Sequence, residues 1–155
     1  MADAEAIRAI YNVEVSTSTV TFDLVPRTLE EQQAWLVDRN GAHAVLVAEG
    51  DDGAVWGCAS LSPFRERPAY STTVEDSVYV DRDHQGRGVG KALLEALVET
   101  ATNHGFHTAI ARIVGGHDAS TALHASVGFE VVGPEREVGP KHRRWLDVVI
   151  MQRML

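Results

Sequence analysis

Residues 84–97, HQGRGVGKALLEAL, join a glycine-rich loop to an amphipathic helix. The preceding residues 77–80, SVYV, are typical of a strand, and leucines and alanines follow the glycines at helical spacing. Glycines let the backbone approach a ligand closely, and the first turn of a helix has N–H groups without intrahelical partners. The segment therefore predicts a phosphate or pyrophosphate site, with Arg87 and Lys91 adding positive charge. A tight turn whose glycines serve only packing is the alternative.

Two common phosphate-binding templates do not match this loop. A P-loop needs Ser or Thr after its lysine, whereas Lys91 is followed by Ala92. The dinucleotide template GxGxxG needs a third small residue. If Gly88 and Gly90 are its first two glycines, the third position is Leu93, which is not small. Both a nucleoside triphosphate and NAD are therefore disfavoured.

The pattern on either side of the loop predicts strands that alternate with helices. The expected elements, in order, are a helix over about 4–15; a helix from the capping box Thr28/Glu31 to Arg39; a hairpin of 42–49 and 54–61; a strand over 71–81; a helix over about 88–104; a strand over 106–114; a short helix with Asp118 as N-cap and a stop at Gly128; and two final strands joined by a loop with two prolines. This order predicts an α/β or α+β fold with a mixed sheet.

Composition limits the class of protein. The 155 residues predict one domain, 1–155, and 45% hydrophobic and 23% charged residues are usual for a globular chain. The net charge of −8 disfavours nucleic acid or an anionic membrane as partner. Cys58, the single cysteine, reads as a buried apolar residue, and the histidines show no metal-site spacing. With no signal peptide or long apolar stretch, we expect a cytoplasmic protein without a metal.

Gln85, Gly88 and Gly90 fit the pattern Q/RxxGxG/A, which resembles the acetyl-CoA pyrophosphate loop of the GNAT superfamily of N-acetyltransferases. Six segments resemble its phosphinothricin N-acetyltransferase group in order across nearly the whole chain: STVTFD, SPFRERPAY, TVEDSVYV, HQGRGVG, LHASVGF and WLDVVIMQ. The resemblance implies a mixed sheet splayed in the middle, with helices on both faces. Such proteins begin with a short strand, whereas this chain starts inside the first helix. Either the first edge strand is missing, which is what we expect, or the start differs.

The resemblance implies two catalytic residues. Glu75 stands where these enzymes carry the glutamate that deprotonates the amine, and a partly desolvated cleft would raise its pKa. A solvated strand carboxylate is the alternative for this residue. Asp76 should point to the opposite face unless the strand bulges, as the family's does. His124 stands where the group has histidine; it would orient a reactant when neutral, protonate the departing thiolate when charged, or simply be packed.

The resemblance also implies the groups that hold acetyl-CoA. Backbone amides near Val78 and Val80 would face the pantetheine and the thioester carbonyl, and the glycine loop would hold the pyrophosphate. His117 replaces the family's asparagine and leaves that contact open. The full set is Val78, Tyr79, Val80, Gln85, Gly86, Arg87, Gly88, Val89, Gly90, Lys91, His117 and Ser120.

The acceptor implied is an amino-acid-like amine such as phosphinothricin or methionine sulfoximine. Arg65, Arg67 and Tyr70 match the group's substrate segment, and Phe22 would line the same cleft; a solvated loop with surface ion pairs is the alternative. Arg143 and Arg144 depart from the group, which usually has glycine after His142, so the preference for the acceptor is open. A homodimer is expected. Rival functions are acetylation of a protein N-terminus or a polyamine, and a non-catalytic acyl-CoA sensor.

Overall fold

The computed structural model describes residues 2–39 and 41–155. Their helices are α1 (Ala4–Thr17), α2 (Leu29–Val37), α3 (Val89–Asn103) and α4 (Asp118–Ser126), with 3-10 turns at Pro68–Tyr70 and Arg82–His84. The strands are β1 (Val45–Glu49), β2 (Val55–Pro63), β3 (Thr73–Val80), β4 (Thr108–Val114), β5 (Glu130–Lys141) and β6 (Arg144–Met154). They form one sheet in the order β1-β2-β3-β4-β6-β5. The first element described is α1, and β1 holds one edge of the sheet.

The sheet is mixed and opens in its middle. β3 and β4 are parallel but pair only from Thr73 to Glu75 against Thr108 to Ile110, whereas all other neighbouring strands are antiparallel. Beyond Glu75 the two central strands separate. The predicted mixed, splayed sheet is confirmed, and the split leaves one edge of β3 without a strand partner.

Helices cover both faces of the sheet, as predicted. Val74 of β3 belongs to the core cluster that contains Leu94 and Leu97 of α3, so the leucines after the glycine loop are core residues. On the other face, the rings of Tyr11 in α1 and Tyr79 in β3 meet edge to face, with centroids 5.0 Å apart. Side chains alternate between the two faces of a sheet, and Val74 and Tyr79 are an odd number of residues apart on β3. The helices α3 and α1, which they contact, therefore lie on opposite faces.

The start of α2 follows the predicted capping box. The backbone N–H of Glu31 donates to Thr28 Oγ1 at 3.2 Å, and the backbone N–H of Thr28 donates to the Glu31 carboxylate at 2.8 Å. These two bonds satisfy donors that a helix start otherwise leaves free. The helix ends at Val37, two residues earlier than predicted.

The N-cap predicted for α4 is wrong by one residue. His117 occupies the N-cap and Asp118 is the first helical residue. The Nε2 atom of His117 lies 2.9 Å from Thr19 Oγ1, so this ring joins the start of α4 to the segment after α1 rather than capping the helix.

The predicted loop with two prolines in the C-terminal hairpin is also wrong. Pro134 and Pro140 both lie within β5, and the turn is instead made by His142 and Arg143, with φ of 49° and 61°. β5 is the outermost strand, where a missing N–H on the outward side breaks no ladder bond, and its register shifts twice against β6. Among the described residues, we find no helix with the length and apolar character to cross a bilayer.

Candidate active site

A cleft occupies the split between β3 and β4. It contains a cavity of about 160 Å³ walled by both strands, and a second cavity of about 430 Å³ lies against the glycine loop. The two cavities share six lining residues: Val20, Val78, Val80, Gln85, His117 and Ser120. A narrow passage between strands thus meets a wider space at the start of α3.

The free edge of β3 supplies backbone donors to this cleft. The N–H of Asp81 donates to the Trp56 carbonyl at 2.8 Å, so the odd-numbered residues at this end of β3 bond to β2. Because successive residues of a strand bond in opposite directions, the amides of Val78 and Val80 point into the split. The pairing of β3 with β2 is continuous from Val74 to Val80, so the bulge that the resemblance implies does not occur there.

The glycine loop leaves the first turn of α3 open to the wider cavity. Gly86 and Gly88 have φ of 71° and 84°, in the left-handed region that favours glycine, and Gly88 is the N-cap. The first amide in this turn with a backbone acceptor is that of Ala92, which donates to the Gly88 carbonyl at 3.0 Å. The preceding amides of Val89, Gly90 and Lys91 have no acceptor within the helix.

The other residues of the loop pack against the sheet, line the wider cavity or are exposed to solvent. A Cβ on Gly90 would lie 3.2 Å from Leu123 and 3.4 Å from Val80, so this glycine lets α3 approach β3 and α4 closely. The side-chain amide of Gln85 donates to the Val80 carbonyl at 3.3 Å and fastens the loop to β3. Lys91 lines the wider cavity, whereas Arg87 is exposed and is not among the residues lining either cavity.

Asp76 and His124 form a buried pair in the wall of the narrow cavity. His124 Nε2 lies 2.9 Å from Asp76 Oδ2, His124 Nδ1 lies 2.7 Å from the Ser120 carbonyl, and the two side chains are only 5% and 3% exposed. A carbonyl and an ionised carboxylate only accept, so an ionised Asp76 requires protons on both ring nitrogens. Burial lowers the pKa of His124, but the hydrogen bond and charge of Asp76, with the Ser120 carbonyl, outweigh it and raise that pKa overall.

Glu75 faces away from this pair, as alternation along the strand predicts. It is half-buried, and burial raises the pKa of its carboxyl; Arg112 opposes the rise, whereas Asp76 and Glu135 reinforce it. Arg112 also forms an ion pair with Glu135 at 2.5 Å. Glu75 is not among the residues that line the narrow cavity, although its neighbours Asp76 and Ser77 are.

The predicted acceptor residues lie together with one exception. Arg65, Arg67 and Tyr70 line an open depression of about 500 Å³. Arg65 lies over the rings of Phe64 and Tyr70, 4.9 and 5.6 Å from their centroids, and its charge acts on Glu75. Phe22 is partly exposed and packs instead on Gly139 of β5, where a Cβ would meet its ring at 3.2 Å.

Sequence reasoning missed two carboxylates of the narrow cavity. Strand alternation predicts that Asp76 points away from Glu75 but does not predict its partner, and Glu14 belongs to no motif described above. Glu14 is 9% exposed and accepts a 2.8 Å hydrogen bond from Arg82 Nε; burial raises the pKa of Glu14, but Arg82 and Ser18 lower it overall. Each carboxylate interrupts an apolar stripe, at helical spacing for Glu14 and at alternate strand positions for Asp76, and this interruption was the available signal.

The chain matches the Acetyltransferase (GNAT) family over residues 7–129. The chain belongs to this family. It is 41% identical over 153 residues to an L-methionine sulfoximine/L-methionine sulfone acetyltransferase from Pseudomonas aeruginosa, covering 98% of this chain and 89% of the relative. A phosphinothricin acetyltransferase from Sinorhizobium meliloti, solved with acetyl-CoA, superposes with a TM-score of 0.95 at 41% identity over 99% of this chain and 84% of that one. A ribosomal-protein-alanine N-acetyltransferase from Brucella melitensis superposes with a TM-score of 0.96 at 42% identity, over 99% and 95% of the two chains.

The geometry of this GNAT protein fits acetyl-CoA, its co-substrate as an acetyl-CoA-dependent N-acetyltransferase. The glycine positions that open the start of α3, the free amides of its first turn and Lys91 suit a pyrophosphate. The passage between β3 and β4 suits a thin chain that ends in a thioester. The described residues contain no cluster of histidine, cysteine and acidic side chains that would hold a metal ion.

Proposed function

We propose that this protein transfers the acetyl group of acetyl-CoA to the amine of a small amino-acid-like acceptor of the phosphinothricin or methionine sulfoximine type. The observation that carries the proposal is the cleft between β3 and β4, where two cavities that share lining residues fit acetyl-CoA; Glu75 lies on β3, on the face opposite Asp76. Two similar proteins, one named for each acceptor type, support the assignment.

The cofactor contacts proposed are those of the cleft and its loop. The amides of Gly86, Arg87, Gly88, Val89, Gly90 and Lys91 would bind the pyrophosphate; Val78, Tyr79 and Val80 would flank the pantetheine; and Gln85, His117 and Ser120 would complete the wall. Eleven of these twelve residues line one or both cavities, and Arg87, the exception, would contribute its backbone and its charge. The amides of Val78 and Val80 would also stabilise the charge that develops on the thioester oxygen.

Glu75 would act as the general base. Acetyl-CoA supplies an activated acyl group, but an amine attacks only when neutral, and most amines are protonated at neutral pH. Half-burial raises the pKa of Glu75, which makes the carboxylate a better proton acceptor than an exposed one. Glu75 takes one proton from the ammonium group, and the neutral nitrogen then bonds to the carbonyl carbon. The carbon–sulfur bond breaks with its electron pair on the sulfur, and the nitrogen releases its second proton to solvent as the amide forms.

His124 would return a proton to that sulfur. Its pairing with Asp76 favours the imidazolium, which has a proton to give, and the ring lines the narrow cavity. Both ring nitrogens carry a hydrogen bond, so donation requires that one of them opens. Asp76 is therefore a positioning residue for His124, holding its ring and its charge.

Arg65, Arg67 and Tyr70 would bind the anionic end of the acceptor. Guanidinium groups match carboxylate and phosphinate oxygens, and the phenol adds a rigid donor.

Assembly and location are also proposed. Exposed apolar side chains on β5 and β6, among them Val131, Val132, Val138 and Trp145, support a homodimer through this edge. The protein would act as a single domain, residues 1–155, in the cytoplasm, and the reduced, buried thiol of Cys58 is consistent with that compartment.

A thiol-release assay with acetyl-CoA tests the function. The panel contains L-phosphinothricin, L-methionine sulfoximine, the common amino acids, spermidine and peptides with N-terminal alanine. We expect turnover with the first two, and a Glu75→Gln variant should lose about 10²-fold or more in kcat with little change in acetyl-CoA affinity. A Glu130→Gln variant removes an exposed carboxylate of β5 that lines neither the cleft nor the depression, and it should retain most activity.

The same panel separates the rival functions. Acetylation of a protein N-terminus is favoured by the Brucella neighbour's name and requires turnover with the peptides instead. A polyamine enzyme requires turnover with spermidine, for which a depression lined by two arginines is poorly suited. Tight acetyl-CoA binding without turnover on any acceptor would identify a sensor and contradict the enzyme proposal.

A further inference from the structure

A separate cavity of about 90 Å³ lies between the helices α1 and α2 and the sheet. Its walls include two arginines, two aromatic rings and serine hydroxyls of β2, namely Arg27, Arg39, Tyr11, Trp35, Ser60 and Ser62. We call it the arginine cavity. Its aromatic walls and converging donors are the composition of a ligand site rather than of a packing defect.

Arg39 is half-buried in this cavity without a counterion. Its guanidinium carbon lies 3.9 Å from the centroid of the Trp35 ring, and Nη2 donates to Ser62 Oγ at 3.0 Å. Its Nε is buried and has no hydrogen-bond acceptor among the described residues, and no carboxylate of that part of the chain lies within 4 Å of it. A half-buried guanidinium with a free buried donor is costly unless an acceptor meets it.

A second guanidinium adds to this positive charge. Arg27 lies over Tyr11 at 4.0 Å and 5.2 Å from the centroid of Trp35, so both guanidinium groups lie near the same indole. Burial and the charge of Arg27 lower the pKa of Arg39, and the charge of Asp38 opposes them only in part. Arg27 has a 3.3 Å contact with Asp23, and its other contact is a long 3.4 Å bond to Gln32 Oε1.

The other polar groups near the two arginines add no negative charge. Gln32 is fully buried, and its Nε2 is a further donor without an acceptor among the described residues. The acidic protons of Cys58 and Tyr11 stay in place at neutral pH, since burial raises the pKa of each to about 12. Of the described residues that line the cavity, none is a carboxylate.

We propose that the arginine cavity is a binding site for a small monovalent anion, a carboxylate group or a halide, held by Arg39 and Ser62 with Arg27 in the same wall. A carboxylate matches the planar fork of a guanidinium, and a cavity of this size admits only a small group. The site is distinct from the depression at Arg65 and Arg67, with which it shares no lining residue.

The anion has two possible sources. Ser77 and Tyr79 of β3 line both the arginine cavity and the narrow cavity of the active site. A carboxylate could therefore belong to an acceptor that reaches past β3, a source that rests on the proposed function. A free anion from solution needs no such connection.

The test measures stability against anion concentration at constant ionic strength. The full-length protein is held in gluconate, whose anion is too large for the cavity, and gluconate is replaced stepwise by chloride or acetate while Tm is recorded. We expect a saturable rise of about 3–5 °C at tenfold excess over Kd. The Arg136→Gln control, which removes an exposed positive charge on β5, should respond equally.

Arg39→Gln should abolish the rise, and its Tm in gluconate should equal or exceed that of the wild type, because an uncompensated cation has been removed. If that variant does not fold, Ser62→Ala should weaken anion affinity about tenfold while the guanidinium remains. A wild type without a saturable response, or a response unchanged in Arg39→Gln or Ser62→Ala, would overturn the site.

Kinetics then distinguish the sources. If an acceptor carboxylate occupies the cavity, chloride should raise the acceptor's KM in the wild type but not in Arg39→Gln. If a solution anion occupies it, chloride should leave KM unchanged while it still raises Tm. Each result supports the site, and neither depends on which acceptor is the natural one; the stability arm stands even if the enzyme proposal fails.

Discussion

His124 Nε2 and Asp76 Oδ2 are 2.9 Å apart, which joins α4 to β3 in the wall of the cleft. Oδ1 of the same carboxylate is buried without a hydrogen-bond partner among the described residues. Because a carboxylate shielded from water acts strongly on its neighbour, Asp76 controls the charge of His124 more than the exposed groups do.

Replacing Asp76 by Asn should remove the negative charge of the Asp76–His124 pair and keep the shape of the side chain. The amide keeps a group of the same size but loses the charge that raises the pKa of His124, so that pKa should fall. If His124 acts as the proton donor, the alkaline limb of kcat against pH moves to lower pH. Asp118→Asn, an exposed carboxylate on the same helix, is the control and should leave that limb in place. An unchanged alkaline limb in Asp76→Asn would refute the donor role.

The same variant should change how stability depends on pH. A histidine whose pKa is raised by folding stabilises the native state below its unfolded pKa, near 6.5, and loses that contribution as pH rises through the native pKa. The wild type should therefore exceed Asp76→Asn by about 2 kcal/mol in free energy of unfolding near pH 5.5, with a smaller difference at pH 8.5. Urea denaturation at these two pH values measures it.

Gly88→Ala should weaken acetyl-CoA binding by about tenfold. The residue has φ of 84° at the start of α3, so a side chain forces the loop and the free amides to shift. Gly105→Ala is matched to it, since φ is 80° and the added Cβ would also meet open space, but it lies beyond the other end of α3. Both variants should lose about 1 kcal/mol of stability. Equal acetyl-CoA affinity, measured by calorimetry, would show that the loop does not bind the co-substrate.

Arg143→Gly should stabilise the protein by about 1 kcal/mol. Arg143 has φ of 61° in the two-residue turn between β5 and β6, where a side chain is disfavoured and glycine is not. Arg144→Gly should have the opposite effect, because Arg144 begins β6 and glycine weakens strands. Thermal unfolding of the two variants should therefore shift Tm in opposite directions; a lower Tm for Arg143→Gly would mean that the arginine side chain makes a contact that offsets its strain.

Trp145→Ser should weaken the proposed dimer. The side chain is 64% exposed on β6, the strand that pairs with β5, and its burial against a second copy would stabilise association. Light scattering after size exclusion should give twice the monomer mass for the wild type and, at the same concentration, a lower mass for the variant. Val37→Ser removes an apolar group of similar exposure from α2 and should leave the mass unchanged. A wild-type monomer would exclude the dimer.

The order of elements and the cofactor loop were predictable because their signals are local. The glycines and the leucines of residues 84–97 encode both a turn with positive φ and the buried face of α3, and the Thr28/Glu31 box contains both partners of its own hydrogen bonds. The prediction of a loop at the C-terminal prolines was wrong. Proline is typical of a loop, and it is compatible with a strand mainly at the edge of a sheet. Whether a strand is an edge depends on the order of strands in the sheet.

The sequence by itself determined that a loop with free amides precedes an amphipathic helix, and alternation along β3 determined that Glu75 and Asp76 face opposite ways. Only the tertiary structure decided what each of them meets. Asp76 pairs with a histidine 48 residues away, and Arg39 shares a cavity with Arg27 and Ser62. The reason is physical: backbone geometry repeats over a few residues, whereas the burial and the charge around a side chain depend on which distant elements pack against it.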